Sequence, residues 1–474
     1  MSYRGGGRSG GRGRGRSGGR GAPRGGGRGG PPYGGGGGRF GADSEGPAHG
    51  PKPHLQLCRD FTSKGSCSRG ASCHFKHVIQ MHKTLVNSDP DDSRSASSTG
   101  NYDNRYGSQS YNSQKKLHPT SDVALWNDPS SSLKIFTASH DGHWRLYNTA
   151  NGFNKEVQHN MGGKVNTIMV ESNFLFCGFE GTSVKVPGVT VGMIFAWNLG
   201  TPGDPPIELH MHETAPYAHA SGVTCFITKG DMCVSGGHDS AIRMWKYDAA
   251  GNSGKGGFKL VKTLFGHAGE ITGLLIVGTM LWSCSTDMTI RLWDSAADWE
   301  CKYLITQNTP GDAGAPPVGS PQAQQQQNGQ QNTATGIGHT DAITGLLHFE
   351  SAQGNFVLSS SLDGSVKVWD STNGNCLSTT DYGVGVISMA LTADTANNAL
   401  LIAGTVYGKI VFRSLLQTAN TPPMCYLCHI EYRNTQCGHE GPVKSVVAGP
   451  SNTFYTAGDD GNVVVFQITG DFGL

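Results

Sequence analysis

The repeat that most constrains the fold places an aromatic residue six positions after an aspartate. Five pairs have this spacing: Asp141 and Tyr147, Asp239 and Trp245, Asp287 and Trp293, Asp363 and Trp369, and Asp460 and Phe466. Two weaker units keep the frame without an aspartate: Val191 with Trp197, and Tyr407 with Arg413. The second members of these seven pairs, here called anchors, are mostly 44 to 53 residues apart, and one interval of 76 contains Pro/Gln-rich sequence at about 308–336. A period of this length indicates a series of similar structural units.

Each unit has the pattern of short β-strands separated by Gly, Asp and Asn. In the unit that ends at Trp293, the runs 270–277, 279–284 and 289–293 have the length and composition of successive strands. Three units open with a Gly-His pair, at Gly266, Gly338 and Gly438, and the first two close with Trp-Asp. These motifs resemble the WD-repeat family, in which each unit forms one four-stranded blade of a β-propeller. The resemblance implies an all-β, seven-bladed propeller over residues 110–474.

The resemblance also implies structural roles for repeated polar residues. In the family, the histidine, the turn aspartate, a strand Ser or Thr and the tryptophan are hydrogen-bonded within one blade. By position, two such sets are His267, Asp287 and Trp293, and His339, Asp363 and Trp369. A His–Asp–Ser set can also indicate catalysis, but this one recurs with the repeat. The chain has no phosphate loop and no separate nucleophile elbow, so we expect no enzyme activity.

The end of the last unit predicts how the ring closes. Family repeats place the Trp-Asp pair on the third strand of a blade, and only residues 467–474 follow the last anchor, Phe466. The seventh blade therefore lacks its outer strand. We expect residues 110–117 to supply this strand by pairing with residues 463–467.

A separate pattern near the N-terminus has the spacing of a metal site. Cys58, Cys67, Cys73 and His77 follow C-x8-C-x5-C-x3-H. Three thiolates and one imidazole complete a tetrahedral structural zinc site, with no open position for water. The segment, residues 51–82, is too small to fold on apolar burial alone, so we expect Zn2+ to supply its folding free energy. His74 and His82 are alternative imidazoles, but the spacing favours His77.

This segment resembles CCCH zinc fingers of the tristetraprolin type, which bind single-stranded RNA. Aromatic rings stack between bases in such complexes, and basic side chains lie near phosphates. The resemblance implies RNA-binding roles for a set of aromatic and basic residues: Arg59, Phe61, Lys64, Arg69, Phe75 and Lys76. Two features depart from the type. Arg69 stands where an aromatic residue is common, and the lead-in before Leu57 lacks the tyrosine and glutamate of the AU-rich-binding pattern.

The regions around the finger are polar and rich in glycine. Residues 1–50 form an arm, of which residues 1–42 hold nine arginines, six of them in Arg-Gly pairs, and no acidic residue. The arm has little to bury, so we expect it to be disordered, and it resembles the RGG boxes of RNA-binding proteins. Residues 83–109 predict a flexible linker, and the insertion at about 308–336 is also expected to be disordered.

The cysteines outside the finger and the distribution of apolar residues indicate where in the cell the protein is expected. Of 12 cysteines, nine lie outside the finger, mostly in apolar runs, and predict buried free thiols. Cys425, Cys428 and Cys437 allow a second zinc site, but strand alternation would place Cys425 and Cys428 on opposite faces. No signal-peptide pattern and no apolar window of about 18 residues is present. We therefore expect a nuclear or cytosolic protein, with the nucleus favoured and no membrane partner.

These features together favour an RNA-binding adaptor. The finger and arm would bind single-stranded RNA, and the propeller would recruit protein partners, with no small-molecule substrate. The main alternative is a protein-interaction scaffold, for example a ubiquitin-ligase substrate receptor with a purely structural finger. DNA binding is a third and weaker hypothesis, because a single finger lacks a recognition-helix pattern.

Overall fold

The structure is a computed structural model. It describes residues 56–87, 117–129, 132–182, 188–212, 215–249, 256–307, 332–333, 338–351, 354–415, 425–432 and 437–472. The predicted arm at 1–50, most of the predicted linker and nearly all of the predicted insertion lie outside these residues. Statements about disorder in those three segments therefore stay predictions.

The N-terminal described segment contains the finger and one strand. A helix, α1, spans Arg59–Lys64, and a 3-10 helix spans Gly70–Ser72. Strand β1, Ile79–Val86, begins two residues after His77. Within the described part of the chain, no helix is both long enough and apolar enough to cross a bilayer.

Four of the seven sheets are built from consecutive strands in the first part of the chain. Blade one contains β2 (Thr120–Asn127), β3 (Leu133–Ser139), β4 (His143–Asn148) and β5 (Asn154–Asn160). Blade two contains β6 (Val165–Glu171), β7 (Phe174–Thr182), β8 (Thr190–Asn198) and β9 (Ile207–Leu209). Blade three contains β10 (Val223–Lys229), β11 (Met232–Gly237), β12 (Ile242–Asp248) and β13 (Gly257–Leu264). Blade four contains β14 (Ile271–Val277), β15 (Met280–Ser285), β16 (Ile290–Asp294), β17 (Glu300–Ile305) and β18 (Asn332–Thr333).

The other three sheets complete the ring. Blade five contains β19 (Ile343–Ser351), β20 (Gly354–Ser361), β21 (Ser365–Asp370) and β22 (Cys376–Asp381). Blade six contains β23 (Val386–Ala393), β24 (Ala399–Thr405), β25 (Ile410–Ser414) and β26 (Cys425–Ile430). Blade seven contains β27 (Val443–Ala448), β28 (Thr453–Gly458), β29 (Asn462–Ile468) and, outermost, β1. The predicted all-β, seven-bladed propeller is confirmed.

All seven anchors lie on the third strand of their blade, which explains the period of the sequence. They are Tyr147 on β4, Trp197 on β8, Trp245 on β12, Trp293 on β16, Trp369 on β21, Arg413 on β25 and Phe466 on β29. The insertion predicted in blade two lengthens the hairpin of β7 and β8, which pair from Phe174 opposite Asn198 to Thr182 opposite Thr190. Within the predicted insertion of blade four, β18 pairs in parallel with β17.

The core lies between blades, and strand alternation explains why inner strands are apolar on both faces. On β29, Val463 and Val465 belong to the cluster shared with blade one. Val464 and Phe466 belong to the cluster shared with blade six. Each blade therefore buries side chains against both neighbours, and blade seven does so against blade one.

The prediction that an N-terminal strand completes blade seven is confirmed, but the predicted donor, residues 110–117, is wrong. β1 pairs antiparallel with β29, from Ile79 opposite Ile468 to Val86 opposite Asn462. The edge of β29 is thus occupied by a segment that directly follows the finger. Ile79 and Leu85 are buried in the propeller core, which gives β1 its affinity for this position. Residues 83–86, predicted as linker, are part of this strand.

Candidate metal centre and nucleic-acid interface

The four predicted ligands converge in the finger. Cys58 immediately precedes α1, Cys73 follows the 3-10 helix, and Cys67 lies in the turn between the two helices. The ligand atoms of Cys58, Cys67, Cys73 and His77 all lie within 4.8 Å of one another. One ion with metal–sulfur bonds of about 2.3 Å can bind all four. The residues are positioned to bind a metal ion, and the donor set is consistent with Zn2+.

The state of His77 supports this assignment. Its Nε2 atom is buried and has no hydrogen-bond partner. A buried imidazole nitrogen without a partner is unfavourable, and a bound metal would satisfy it. The ring of Phe61 stacks on the imidazole, with centroids 4.5 Å apart and planes 9° apart. The alternatives are less suitable, because His74 is exposed and His82 Nε2 lies 2.7 Å from Gln467 Oε1.

Local interactions shift the pKa values of two of the ligand thiols in opposite directions. The backbone N–H of Arg69 is the main cause that lowers the pKa of Cys67 to about 7. Burial raises the pKa of the Cys58 thiol. A metal ion binds thiolates, so proton release from Cys58 must accompany binding at neutral pH.

Backbone contacts fix the shape of the finger around these ligands. The N–H of Cys58 donates to the carbonyl of Lys76 at 3.0 Å, and the N–H of Lys76 donates to the carbonyl of Gln56 at 2.8 Å. These bonds hold the lead-in beside the segment that carries His77. Gly65 ends α1 with φ of 72°, a conformation that favours glycine.

Two family models match the chain. The model described as "Zinc finger C-x8-C-x5-C-x3-H type (and similar)" matches residues 55–79. The model described as "WD domain, G-beta repeat" matches residues 212–246, 258–294, 330–370 and 431–467. The chain combines a CCCH zinc finger with WD40 repeats. Both are domain types that are typically non-catalytic.

Curated relatives contain the same type of finger. The chain is 27% identical over 268 residues to "Zinc finger CCCH domain-containing protein 17" of Oryza sativa subsp. japonica, an alignment that covers 56% of this chain and 48% of that protein. It is 27% identical over 251 residues to "Zinc finger CCCH domain-containing protein 62" of Arabidopsis thaliana, with coverage of 52% and 48%. The chain thus aligns with about half the length of these relatives.

A solved structure supports the propeller fold. The "Crystal structure of WD40 beta propeller domain of Doa1" superposes with a TM-score of 0.51 and 18% sequence identity. The superposition covers 75% of this chain and 94% of that one. At this level of identity the similarity concerns the fold alone.

The residues predicted to bind RNA differ in how the CCCH finger presents them. Arg59, Arg69 and Lys76 are exposed, and Phe75 is 39% exposed. Lys64 is also exposed and lies 3.2 Å from Asp60, four residues earlier on α1. Phe61 is half-buried, and its contact with His77 uses one face of the ring within the finger. Phe75 is therefore the aromatic ring most available to a base.

The polar residues predicted to be structural in the WD40 propeller form linked hydrogen bonds. His267 Nδ1 lies 2.9 Å from Asp287, and its Nε2 lies 2.8 Å from Ser283 Oγ, which also accepts from Trp293 at 2.9 Å. The same contacts recur in blade five, where His339 lies 2.9 Å from Asp363 and 2.7 Å from Ser359. Trp369 donates to that serine at 2.7 Å. The histidine, serine and tryptophan of each set are buried and the aspartate is half-buried, and the bonds tie the second and third strands of a blade to the loop before its first strand.

A third set was missed in the sequence. His219 lies 2.9 Å from Asp239 and 2.8 Å from Ser235, to which Trp245 donates at 2.9 Å. The histidine precedes its aspartate by 20 residues, as in blade four, and this spacing is the sequence feature that could have identified His219. Ala218 stands before His219 in place of glycine, so the Gly-His motif did not identify it.

The described side chains of the other candidate zinc cysteines, Cys428 and Cys437, do not form a comparable centre. Cys428 and Cys437 are buried, and burial raises the pKa of Cys428 well above the usual range of a thiol. His429 Nδ1 lies 2.5 Å from the Tyr426 hydroxyl. Within the ranges that the structure describes, the four ligands of the finger are the one group of cysteine, histidine and acidic side chains placed to share a metal ion.

Proposed function

We propose that the protein is an RNA-binding adaptor in which the finger binds single-stranded RNA and the propeller binds protein partners. The observation that carries this proposal is the exposure of Phe75 between two ligands of the metal centre. Phe75 lies two residues after Cys73 and two before His77, so a bound metal would fix its position. A ring held in place on a small domain offers a stacking surface for a base at low entropic cost.

The distribution of charged residues along the chain supports RNA as the ligand of the finger. Residues 56–87 contain five lysines or arginines and one acidic residue, whereas residues 88–474 contain 22 basic and 33 acidic residues. The exposed Arg59, Arg69 and Lys76 can therefore attract a phosphate backbone that the net acidic residues 88–474 would repel. The nine arginines of residues 1–42 would add salt-dependent affinity without sequence preference.

The test of base stacking compares two phenylalanines in the full chain. Binding of a labelled single-stranded RNA of mixed sequence is followed by fluorescence anisotropy for Phe75→Ala and Phe265→Ala. Loss of one stacked base costs about 1–3 kcal/mol, so Phe75→Ala should weaken binding by about five- to 150-fold. Phe265 is 65% exposed on the propeller and serves as the matched control. Equal affinities of the two variants would refute the stacking role.

Salt dependence tests the basic residues separately. Each phosphate contact on a single strand contributes a slope of about 0.7 in the logarithm of affinity against the logarithm of salt. Arg69→Ala and Arg59→Ala should reduce the slope, whereas Lys246→Ala, at an exposed position on blade three, should not. Competition with single-stranded and duplex DNA of the same sequence examines the DNA hypothesis, because stronger competition by duplex DNA would favour it.

The propeller is the proposed platform for protein partners. Two large side chains are unusually exposed in the loops before β14 and before β25, Phe265 at 65% and Tyr407 at 60%. Exposed aromatic residues are common in protein interfaces. Crosslinking in cells distinguishes the adaptor from a scaffold: RNA attached to the finger favours the first, and ligase subunits without RNA favour the second. We expect the nucleus to be the main location, which a fluorescent fusion would test.

A further inference from the structure

We propose that metal binding by the finger and closure of the propeller are one coupled equilibrium, so that the bound metal holds the ring closed. This inference does not depend on RNA binding. It rests on the position of β1, which follows the last metal ligand and completes the last blade. The next strand along the chain is β2 of blade one, so β1 lies in sequence between the finger and the blade against which blade seven must close.

At its near end, β1 is continuous with the metal centre. Val78 is 5% exposed and Ile79 is fully buried, in the same core cluster as Phe466 and Ile468 of β29. The carbonyl of His77 accepts from the hydroxyl of Thr469 at 3.4 Å. A displacement of His77 must therefore move residues that lie in the core of blade seven.

At its far end, β1 is fixed to both sides of the closing interface. Asn87 is 2% exposed, and its backbone N–H donates to the carbonyl of Gly461 in blade seven at 3.1 Å. Its side-chain amide donates to Thr120 of blade one at 3.0 Å and accepts from Thr137 at 3.3 Å. The strand is thus held at one end by the finger and at the other by blade one.

The register of β1 shows that it is a regular outer strand. In blades one, three, four, five and six, the pairing of third and fourth strands shifts by one residue at the anchor. β1 has the same irregularity, with Met81 opposite the anchor Phe466 and Lys83 opposite Val465. A strand in this register fits the outer position of the blade as closely as those of the other blades.

The finger depends on its metal for structure. Among residues 56–77, only Cys58 and Thr62 are buried. So little burial cannot offset the conformational entropy of the segment, and metal binding must supply the difference. Without metal, β1 loses the folded support on its N-terminal side. Because linkage is reciprocal, contacts that hold β1 in blade seven must also strengthen metal binding.

The first test removes zinc from the purified full chain with a chelator and follows the propeller alone. All 8 tryptophans lie between residues 126 and 369, so their fluorescence reports on blades and not on the finger. We expect the Tm detected by tryptophan to fall by about 5 °C or more as zinc is released, and to recover when zinc is returned. A Tm that stays constant while released zinc is measured with a chromophoric indicator would overturn the proposal.

A variant pair at the ligand itself separates loss of metal from loss of a side chain. His77→Ala removes a ligand, whereas His77→Cys keeps a four-ligand zinc set. If the equilibrium is coupled, His77→Ala should have a lower Tm than the wild type. In the presence of zinc, the Tm of His77→Cys should be closer to the wild-type value. Equal Tm values for wild type and both variants would contradict it.

The second test measures the reciprocal effect far from the ligands in sequence. Ile468→Ala removes the partner of Ile79, and Ile290→Ala is the control in blade four; both isoleucines are 1% exposed. Zinc affinity is measured by competition with a chromophoric chelator. Ile468→Ala should weaken zinc binding by about tenfold or more, whereas Ile290→Ala should lower Tm but leave zinc affinity unchanged. Equal zinc affinity in the two variants would exclude coupling through β1.

Discussion

The backbone N–H of Thr469 donates to the carbonyl of Val78 at 2.9 Å. This bond joins the residue after the last metal ligand to the C-terminal end of β29. Gly470 lies against the same residue, since a Cβ at that position would be 3.2 Å from Cγ1 of Val78. The finger is therefore packed directly on blade seven, and its last ligand is separated from the propeller by one residue.

The importance of β1 for stability is tested by two alanine substitutions in the same strand. Ile79 is fully buried, and Val86 is 59% exposed. Ile79→Ala should lower the free energy of unfolding by about 2–5 kcal/mol because it leaves a cavity, whereas Val86→Ala should change it by about 0.5 kcal/mol or less. Urea denaturation followed by tryptophan fluorescence measures both. Similar losses in the two variants would show that burial of Ile79 does not hold the strand.

The segment first expected to close the ring gives the complementary prediction. β1 occupies the edge of β29, so replacement of residues 105–116 by a Gly/Ser sequence of equal length should leave Tm within about 1–2 °C of the wild type. Differential scanning calorimetry measures the shift. A fall as large as that of Ile79→Ala would instead support the predicted donor, residues 110–117.

The side-chain amide of Asn87 should contribute measurably to the free energy of unfolding. The hydroxyl of Tyr147 donates to its Oδ1 atom at 3.4 Å, in addition to the bonds with Thr120 and Thr137. Asn87→Ala removes one hydrogen-bond partner from each of these buried hydroxyls, which costs about 1–3 kcal/mol. Asn154→Ala, at an exposed position of blade one, should cost about 0.5 kcal/mol or less. Chemical denaturation compares them, and equal stabilities would show that water replaces the amide.

The propeller was predictable because its period depends on buried third strands. The anchors pack between blades, so an aromatic or other large residue recurs at each of them. In blade six the anchor is Arg413, whose guanidinium lies 4.2 Å from the ring centroid of Tyr382. A guanidinium over an aromatic ring is held there by a cation–π interaction, so a large side chain still occupies the anchor position. The frame therefore survives in units that lack the Trp-Asp pair.

The donor of the outer strand was not predictable in the same way. Outer strands differ in burial: β5 and β22 have no buried residue, whereas β26 buries Leu427, Cys428 and Ile430, so they share no apolar period that would mark them in the sequence. Their position depends on pairing with the third strand, which no local pattern encodes. In β1, Ile79 and Leu85 are the buried residues, and three exposed residues stand between them. The polar sequence after His82 favoured a linker for this reason.

Acid should destabilise the propeller through its buried histidines. Burial lowers the pKa of His219, His267 and His339, despite the carboxylate beside each ring. In the unfolded chain these side chains bind protons below pH of about 6.5, whereas the folded chain resists protonation. The unfolded state therefore binds more protons, and the free energy of unfolding falls as pH decreases below that value.

The partner aspartates change stability in the same direction at lower pH. Burial alone would raise the pKa of Asp287, but its hydrogen bonds with His267, Thr289 and the backbone N–H of Ala268 lower it overall, so its stabilising effect is lost as pH falls below about 4.

The effect of the histidines is measured by comparing urea midpoints at pH 7 and pH 5. His267→Asn should reduce the difference between the midpoints at these two pH values, whereas His82→Ala, the control at an exposed residue, should not. An identical pH dependence in both variants would contradict the assignment.

Alanine substitutions at two glycines of the finger distinguish the effect of backbone strain from the effect of contact with β1. Gly65 and Gly70 have φ of 72° and 50°, so alanine at either position costs about 1 kcal/mol from the backbone alone. A Cβ at Gly70 meets nothing within 4 Å, whereas a Cβ at Gly65 would require the flexible amide end of the Gln80 side chain on β1 to move. Gly65→Ala should therefore weaken zinc binding by a small factor more than Gly70→Ala, as measured by chelator competition on the full chain. Adding Gln80→Ala to Gly65→Ala should bring zinc affinity back to the level of Gly70→Ala, because only the backbone cost then remains. If the double variant binds zinc as weakly as Gly65→Ala alone, the contact between the finger and β1 does not limit the fold of the metal site.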